Sequence, residues 1–242
     1  TGLLIAMAVA AILGFLTSFL VLRGQDLTRL MVTLGVAIIL AELANKNAWL
    51  TGGADGLTGI QIDPVLGAFE FDLFGHTAYV YAVVVLFVLF CVARWLTHTV
   101  FGLTLLGIKG NRLRMEAVGT PVNRRLVAVY TVAAAYAGAA GALLTQTTQF
   151  VSLDVLEFHR SAEVMLVLII GGTGYLYGGL LGAILFRVAQ EWLTGITTQY
   201  WLFWLGLILV VLVLVSRHGL KGLFDRIGSR MQRRTSTGST TP

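Results

Sequence analysis

The chain alternates long apolar runs with short polar breaks, and the lengths of the runs predict membrane helices. A helix needs about 20 apolar residues to cross roughly 30 Å of hydrocarbon. Residues 2–22, 76–96 and 126–147 meet that length. Residues 200–215 form a last span, whereas the run 30–44 is short for a simple span. Continuous apolar runs of this kind indicate an all-α, polytopic membrane protein rather than a barrel of alternating strands.

Two glycine-rich segments interrupt the apolar pattern. Residues 50–60 read LTGGADGLTGI, with four glycines and one carboxylate, and residues 171–179 read GGTGYLYGG between apolar runs. Such backbone cannot face lipid, because its N–H and C=O groups would go unpaired. It must lie within protein, line a watery cavity or sit at the membrane surface. Counting the two short runs on either side of Gly172, we expect about seven membrane-entering helices, including short or broken ones.

The distribution of charge predicts the orientation in the membrane. Only 12% of residues are charged, against about 25% in soluble domains. Of the 17 Lys and Arg residues, 14 lie in the segments 23–29, 94–125 and 217–234. Positively charged segments favour the cytoplasmic side, so these three segments and the C-terminus are assigned there. Residues 51–75 carry four acidic and no basic residues, which places them outside.

The domain organisation is one transmembrane domain, residues 1–216, followed by a tail. Residues 217–234 have the spacing of a basic amphipathic helix that lies on anionic lipid. Residues 235–242 are Thr, Ser, Gly and Pro, and we expect disorder there. The chain enters an apolar helix without a basic leader or a small-residue cleavage site, so no signal peptide is predicted.

The cytoplasmic loop, about residues 97–125, contains a stretch with two interpretations. Residues 108–118, IKGNRLRMEAV, are basic and compatible with a short helix, which Gly119 and Pro121 would stop. The stretch is either a charged surface loop or a docking helix that fits a groove in a soluble partner.

Small residues recur every four positions in two apolar segments, and this spacing lets helix backbones approach closely. The pattern fits tight packing within one bundle or a pore or gate seam between subunits, and the sequence leaves both open. The residues concerned are Ala134 with Gly138, Ala137 with Gly141, and the series Gly174, Gly178 and Gly182.

Ionisable residues at membrane depth are costly and are therefore functional candidates. Glu42, Arg187 and Glu191 are of this kind. Arg187 and Glu191 are four residues apart, so mutual pairing is the simplest prediction. Asp55 is either a ligand for a substrate amine or a solvated loop carboxylate.

Several chemistries find no support in the sequence. There is no Walker A segment, and the glycines after Ile170 lack the βαβ context of a nucleotide site. The four histidines are scattered without ligand spacing, so no metal site is expected. Cys91 is the single cysteine, which excludes an internal disulfide. We therefore expect no catalytic residue, no bound cofactor and no nucleic-acid partner.

Three segments in order carry a resemblance to a known family. Residues 50–60, 107–144 and 161–186, with 22–35 in support, resemble the permease subunit of branched-chain amino acid ABC importers, the LivM type. The resemblance implies candidates for the substrate pathway, for coupling to an ATPase and for helix packing. These are Gly52, Gly53, Asp55, Gly56, Gly171, Gly172 and Gly174 for the pathway, Lys109, Asn111, Arg112, Arg114, Glu116 and Gly119 for coupling, and Gly138 and Gly141 for packing.

The same resemblance implies partners and a role. It implies a second permease subunit of the LivH type, two cytoplasmic ATPase subunits that use the ATP, and a periplasmic substrate-binding protein. This chain would form half of a pathway for branched-chain amino acids across the bacterial inner membrane, with the loop 107–121 as the coupling helix. Alternatives are a urea or short-amide ABC permease, an ion-coupled secondary transporter, or a membrane scaffold.

The chain departs from the family pattern in two places. Lys109-Gly110 stands where family members usually carry Arg-Glu. The family's first membrane segments have no counterpart before Thr1, so we expect an N-terminally shortened permease.

Overall fold

The computed structural model describes residues 2–22, 26–53, 56–58, 76–172, 174–196, 204, 206 and 207 of the 242-residue chain. The helices in chain order are α1 (Gly2–Val21), α2 (Asp26–Lys46), α3 (Ala48–Thr51), α4 (His76–His98), α5 (Val100–Gly110), α6 (Arg112–Ala117), α7 (Val122–Thr148), α8 (Phe158–Gly171) and α9 (Leu176–Ile196). Two-residue strands β1 (Leu57–Thr58) and β2 (Phe150–Val151) pair antiparallel, and a 3₁₀ helix covers Leu153–Leu156. The chain forms two compact units, Thr1–Glu157 and Phe158–Pro242.

The described helices confirm an all-α, multi-pass membrane fold. Four of them, α1, α2, α4 and α7, are long and apolar enough to cross a bilayer. The pair α8 and α9 forms a broken span or a re-entrant loop, bent by 112°. The last predicted span, 200–215, lies largely outside the described residues, as do both segments of the predicted tail.

The second helix is longer than its apolar run predicted. The sequence prediction counted residues 30–44, but α2 runs from Asp26 to Lys46 and has 21 residues. Lys46 in its last turn suits a helix, because a basic residue near the C-terminus interacts favourably with the helix dipole. The prediction of a short run was therefore wrong, since it left out the polar turns that extend a membrane helix into the interface.

The first unit is built on a tight seam between α1 and α7. A Cβ added to Gly138 would lie 2.5 Å from the Cβ of Ala10 and 2.7 Å from the carbonyl oxygen of Ala6. Gly14 meets Ala134 in the same way. The order of these contacts shows that the two helices run antiparallel. Small residues let their backbones approach until no further side chain fits between them.

The second unit is a hairpin of α8 and α9 that is also closed by glycines. A Cβ on Gly178 would lie 2.6 Å from the carbonyl oxygen of Gly172, and one on Gly182 would collide with that of Val167. Farther along, Phe186 and Leu193 are buried against α8. Of the predicted glycine series, Gly178 and Gly182 therefore allow close contact between α8 and α9 within this hairpin.

Candidate functional site

The predicted docking helix is divided in two at Asn111. α5 ends at Gly110, and the backbone of Asn111 is extended, with φ −159° and ψ 108°. The Asn111 Oδ1 accepts a hydrogen bond of 3.1 Å from the backbone N–H of Arg114, which caps α6. Asn is a preferred N-cap because its side chain satisfies a free N–H of the first turn. A single helix over residues 108–118 was therefore the wrong expectation, because Asn111 ends one helix and starts another.

The end of α6 agrees with the stop predicted at Gly119. Gly119 has φ +86°, in the left-handed region that favours glycine. Its N–H donates to the carbonyl of Glu116 at 3.0 Å, and the N–H of Thr120 donates to that of Met115 at 3.0 Å. These two bonds form a Schellman motif, which closes the carbonyl end of the helix. The chain then turns directly into α7.

Arg112 joins α6 to the first turn of α7. Its Nε donates to Glu116 Oε1 at 3.0 Å within α6, and its Nη2 donates to Asn123 Oδ1 at 2.9 Å on α7. The side chains of Arg112 and Glu116 are 42% and 44% exposed, so their ion pair contributes at most about 1 kcal/mol. The bond to Asn123 is the structurally informative one, because it connects two elements. Nothing in the sequence spacing singled out Asn123.

Four exposed residues of α5, α6 and the C-cap of α6 are here called the α6 surface. It consists of Lys109, Leu113, Arg114 and Val118. Leu113 and Val118 are 77% and 80% exposed, and neither Lys109 nor Arg114 has an ion pair with any other described residue. Exposed apolar groups beside unpaired positive charges are typical of a surface that a protein partner covers.

α5, α6 and the start of α7 contact one another where they meet, at a junction here called the α6 corner. Gly107 of α5 leaves room for Met115 of α6, since an added Cβ would lie 2.7 Å from the Met115 Sδ. The Arg125 guanidinium stands 5.7 Å from the centre of the Phe101 ring, at the distance of a cation–π contact. Val122, the first residue of α7, is 3% exposed. α5, α6 and the start of α7 therefore form one structural element.

The glycine segment after α2 forms a compact turn. Gly52 caps α3 in the left-handed conformation, with φ +73°, and its N–H donates to Ala48 at 2.9 Å. Gly53 and Gly56 also have positive φ, and the N–H of Gly56 donates to the Gly53 carbonyl at 3.1 Å. Asp55 lies outside the described residues. The left-handed backbone conformation is sufficient to account for glycine at positions 52, 53 and 56, and no contact with a substrate is needed to explain it.

The turn is held against the chain that follows α7. Leu57 pairs with Val151, and Thr58 pairs with Phe150. A Cβ on Gly56 would collide with the Val151 carbonyl oxygen and would lie 3.1 Å from the Ser152 Cα. Glycine is thus required at position 56 by a close backbone approach as well as by its φ.

The α6 corner and the turn that contains Gly52, Gly53 and Gly56, here called the glycine turn, lie at opposite ends of α7. α6 contacts its first turn and β2 follows its last turn. α7 has 27 residues, so the two ends are about 40 Å apart at 1.5 Å per residue. One helix therefore connects the region predicted to be cytoplasmic with the region predicted to be outside.

The break between α8 and α9 contains the remaining glycine candidates. α8 ends at Gly171, Gly172 has φ +84°, and its N–H donates to the Leu168 carbonyl at 2.9 Å. Gly171 packs against the Gly178 carbonyl, whereas Gly174 is exposed and an added Cβ there would have no described atom within 4 Å. Gly171 is thus needed for packing within the hairpin, and Gly174 has no such contact with the described residues.

The two packing candidates on α7 have different surroundings. Gly138 lies in the seam with α1, but an added Cβ on Gly141 would have no described atom within 4 Å. The face that carries Gly141 and the exposed Ala137 has no close neighbour among the described residues at that glycine.

The ionisable residues of α9 do not pair as predicted. The Arg187 Nη1 donates to Gln190 Oε1 at 3.2 Å. Among the described residues, Arg187 makes no ion pair with Glu191, so that prediction was wrong. Within the same residues, no group of three or more His, Cys, Asp or Glu side chains is placed to hold a metal ion.

Comparison with known proteins agrees with the resemblance read from the three segments. A family model described as the permease component of branched-chain amino acid transport systems matches residues 1–215. The high-affinity branched-chain amino acid permease LivM of Escherichia coli K12 is 30% identical over 91% of this chain and 56% of its own length. No solved structure matches the chain significantly.

Two further relatives are named for other solutes. The autoinducer 2 import permease LsrC of Enterobacter sp. strain 638 is 27% identical over 79% of this chain and 58% of its own length. The fructose import permease FruG of Bifidobacterium longum is 28% identical over 51% of this chain and 38% of its own length.

The chain spans 56% of the length of the LivM relatives it matches. The family match covers nearly all of this chain, includes the α6 corner and both glycine segments, and confirms the resemblance to the branched-chain amino acid ABC permeases. The chain belongs to the family of permease components of branched-chain amino acid transport systems.

Proposed function

We propose that this chain forms half of the translocation pathway of an ABC importer for branched-chain amino acids in the bacterial inner membrane. A second permease subunit would form the other half, and two cytoplasmic ATPase subunits would bind below, one of them on the α6 surface of this chain. A periplasmic binding protein would deliver the substrate. ATP is used by the ATPase subunits, and this chain acts as the membrane subunit.

The observation that carries the proposal is the fastening of α6 to α7 by Arg112 and Asn123. A partner that moves the α6 surface moves the first turn of α7 with it, because the 2.9 Å hydrogen bond and the buried Val122 join them. α7 ends next to the glycine turn, which pairs with β2. A push at the ATPase side is thereby passed to the outer side of the membrane along one helix.

The two arginines proposed for coupling have different tasks. Arg112 is bonded inward to Glu116 and Asn123, so it fixes the corner. Arg114 is available to a partner, because it is exposed and its guanidinium makes no ion pair with a described residue. The first arginine transmits movement, and the second contributes to binding of the ATPase.

Branched-chain amino acids are the substrate that the similarities favour. LivM matches 91% of this chain, whereas the fructose permease matches 51%. Helix breaks at glycines expose free backbone groups, which suit a zwitterion within an otherwise apolar route. Urea or a short amide is the alternative within the same class.

The decisive experiment is ATP hydrolysis by the complex of this chain with its permease and ATPase partners in lipid vesicles. We expect binding protein loaded with leucine to stimulate hydrolysis and uptake together, and binding protein without ligand to stimulate neither. Stimulation by urea in place of leucine would change the substrate. Uptake that an uncoupler abolishes while ATP depletion leaves it unchanged would identify an ion-coupled transporter and overturn the proposal.

The docking surface has its own test in the variant Arg114→Gln. Loss of one well-placed interface charge weakens binding by about tenfold, since 1.4 kcal/mol corresponds to that factor. The matched control is Lys46→Gln, which removes the same charge from the exposed end of α2. Equal ATPase affinity of the two variants, measured by titration of the ATPase onto the permease pair, would remove the α6 surface from the proposal.

A further inference from the structure

A cavity of about 910 Å³ lies between the last turns of α1 and the first turns of α7. The cavity exists because α7 extends farther than α1 at this end of the antiparallel pair. α1 ends at Val21, while α7 extends to Val122, beyond its contact with Gly14 at Ala134. No described side chain fills the space beside the protruding turn of α7. Its volume is in the range of sites that hold small organic ligands.

The walls of the cavity are apolar on the side toward the membrane interior. Phe15 and Phe19 contribute from α1, and Val127 and Val132 contribute from α7. Ser18 and Thr131 also line it, but their hydroxyls donate to carbonyls of their own helices. Phe15 and Phe19 pack edge to face with their ring centres 5.0 Å apart. A hydrocarbon chain suits such walls, whereas a free inorganic anion gains nothing from them.

The mouth of the cavity is positively charged. Arg112 and Arg124 line it, together with Asn123. Glu116 neutralises Arg112, but Arg124 has no ion pair with any described residue. The first turn of α7 contains no acidic residue and no side-chain cap. Cations at the positive end of a helix are unfavourable without a nearby anion, so this mouth is electrostatically complementary to a negative group.

We propose that this cavity binds one anionic phospholipid, with its phosphodiester at Arg124 and an acyl chain against Phe15 and Phe19. The apolar walls and the cationic mouth match the two parts of such a lipid in the right order. Basic pockets between membrane helices on the cytoplasmic side are suited to anionic headgroups. The proposal rests on the orientation given under the proposed function, which places this end of α7 at the cytoplasmic leaflet.

Lipid retention by the purified transporter complex tests the site without ATP or leucine. The complex is exchanged into vesicles of phosphatidylcholine with or without phosphatidylglycerol, and retained lipids are measured by native mass spectrometry. We expect phosphatidylglycerol to be retained in preference to phosphatidylcholine. Arg124→Gln should lower its retention by about fivefold, as expected for one basic residue at an anionic surface.

The control is Arg125→Gln, which removes the same charge one residue along but from a side chain that lies over Phe101. A second variant, Ala128→Phe, fills the cavity without changing charge and should also lower retention. Equal retention in Arg124→Gln and Arg125→Gln would overturn the proposal, and so would equal retention of the two lipids. Displacement of phosphatidylglycerol by inorganic phosphate alone would overturn the lipid proposal in favour of a simple anion site.

A membrane segment of another subunit is the competing occupant. A cysteine variant, Phe19→Cys, would then crosslink to that subunit in the assembled complex, and such a crosslink would overturn lipid binding. If the complex does not retain anionic lipid, binding protein loaded with leucine should still stimulate ATP hydrolysis in vesicles of phosphatidylcholine. If leucine stimulates neither hydrolysis nor uptake while the assembled complex still retains phosphatidylglycerol, the substrate proposal fails and the lipid site stands.

Discussion

The two ends of α7 are held by different kinds of contact. At its start, a long side chain reaches across to it, from Arg112 to Asn123. At its end, backbone lies directly against backbone, because Gly56 allows the turn to approach Val151 and Ser152. The first contact is made by exposed side chains, while the second leaves no room for even a methyl group. The comparison shows where the protein tolerates movement and where it does not.

The difference matters for transport because α7 would have one end that adjusts to movement of α6, here called the yielding end, and one end fixed by the glycine turn. A side-chain hydrogen bond contributes about 1 kcal/mol and can be remade at a new angle. The backbone contact of Gly56 with Val151 and Ser152 leaves little freedom of geometry, because closely packed atoms have no spare volume between them. We therefore expect movement of α6 to be passed along α7 as a rigid displacement.

The largest effect is expected from breaking the seam that makes α7 rigid. Gly138→Leu would force a branched side chain against Ala10 and Ala6, and overpacking of this kind costs about 1–3 kcal/mol or more. We expect a lower melting temperature in detergent and loss of the assembled complex. The control Gly141→Leu meets no described atom and should melt like the unmodified chain. Equal melting temperatures for the two variants would contradict the seam.

The next effect is at the fixed end of α7. Gly56→Ala combines a strained φ of +69° with a collision against the Val151 carbonyl, and should abolish uptake. Gly119→Ala has a similar φ of +86° but an open environment, so it carries only the backbone strain of about 1–2 kcal/mol. Comparing the two variants in leucine uptake separates strain from collision. A larger loss of leucine uptake in Gly119→Ala than in Gly56→Ala would mean that the rigid end of α7 is the one next to α6.

A smaller effect is expected at the yielding end. Arg112→Ala and Asn123→Ala should each leave the protein folded and lower the number of leucine molecules taken up per ATP hydrolysed. The double variant should resemble either single variant, because both remove the same bond and residues in contact are not additive. Strictly additive losses would show that Arg112 and Asn123 act independently.

The smallest effect belongs to the exposed ion pair within α6. Glu116→Gln removes the charge that faces Arg112 but leaves the bond to Asn123 available. We expect a change in stability below about 1 kcal/mol and unchanged coupling. A large loss of coupling in this variant would mean that the carboxylate itself contacts the ATPase.

The sequence predicted the membrane helices and the two glycine segments because hydrophobic length and unpaired backbone are local properties. It also predicted the stop at Gly119. It did not predict Asn111 as a helix boundary, because a single polar residue inside a helix-compatible stretch is read as part of it until its cap is seen. The extension of α2 to Asp26 and Lys46 was missed for a related reason, since polar turns do not count toward an apolar run.

The partners of individual side chains were the least predictable part. Arg187 bonds to Gln190 rather than to Glu191, although both positions lie on neighbouring turns of the same helix face. The bond between Arg112 and Asn123 depends on how α6 folds back on α7, which no local spacing encodes. The same holds for the two small-residue pairs, whose spacing is identical while Gly138 is packed and Gly141 is open.

The unequal lengths of α1 and α7 have a consequence for the choice of membrane. α1 has 20 residues and a length of about 30 Å, equal to a typical hydrocarbon core, while α7 is about 10 Å longer. A thicker bilayer draws the arginine-bearing first turn of α7 toward the acyl chains, and the bilayer must thin around it or the arginine side chains must reach up to the interface. We expect leucine uptake to pass through a maximum in bilayers matched to α1 and to fall as acyl chains are lengthened. An activity independent of chain length would show that the protruding turn is shielded from lipid.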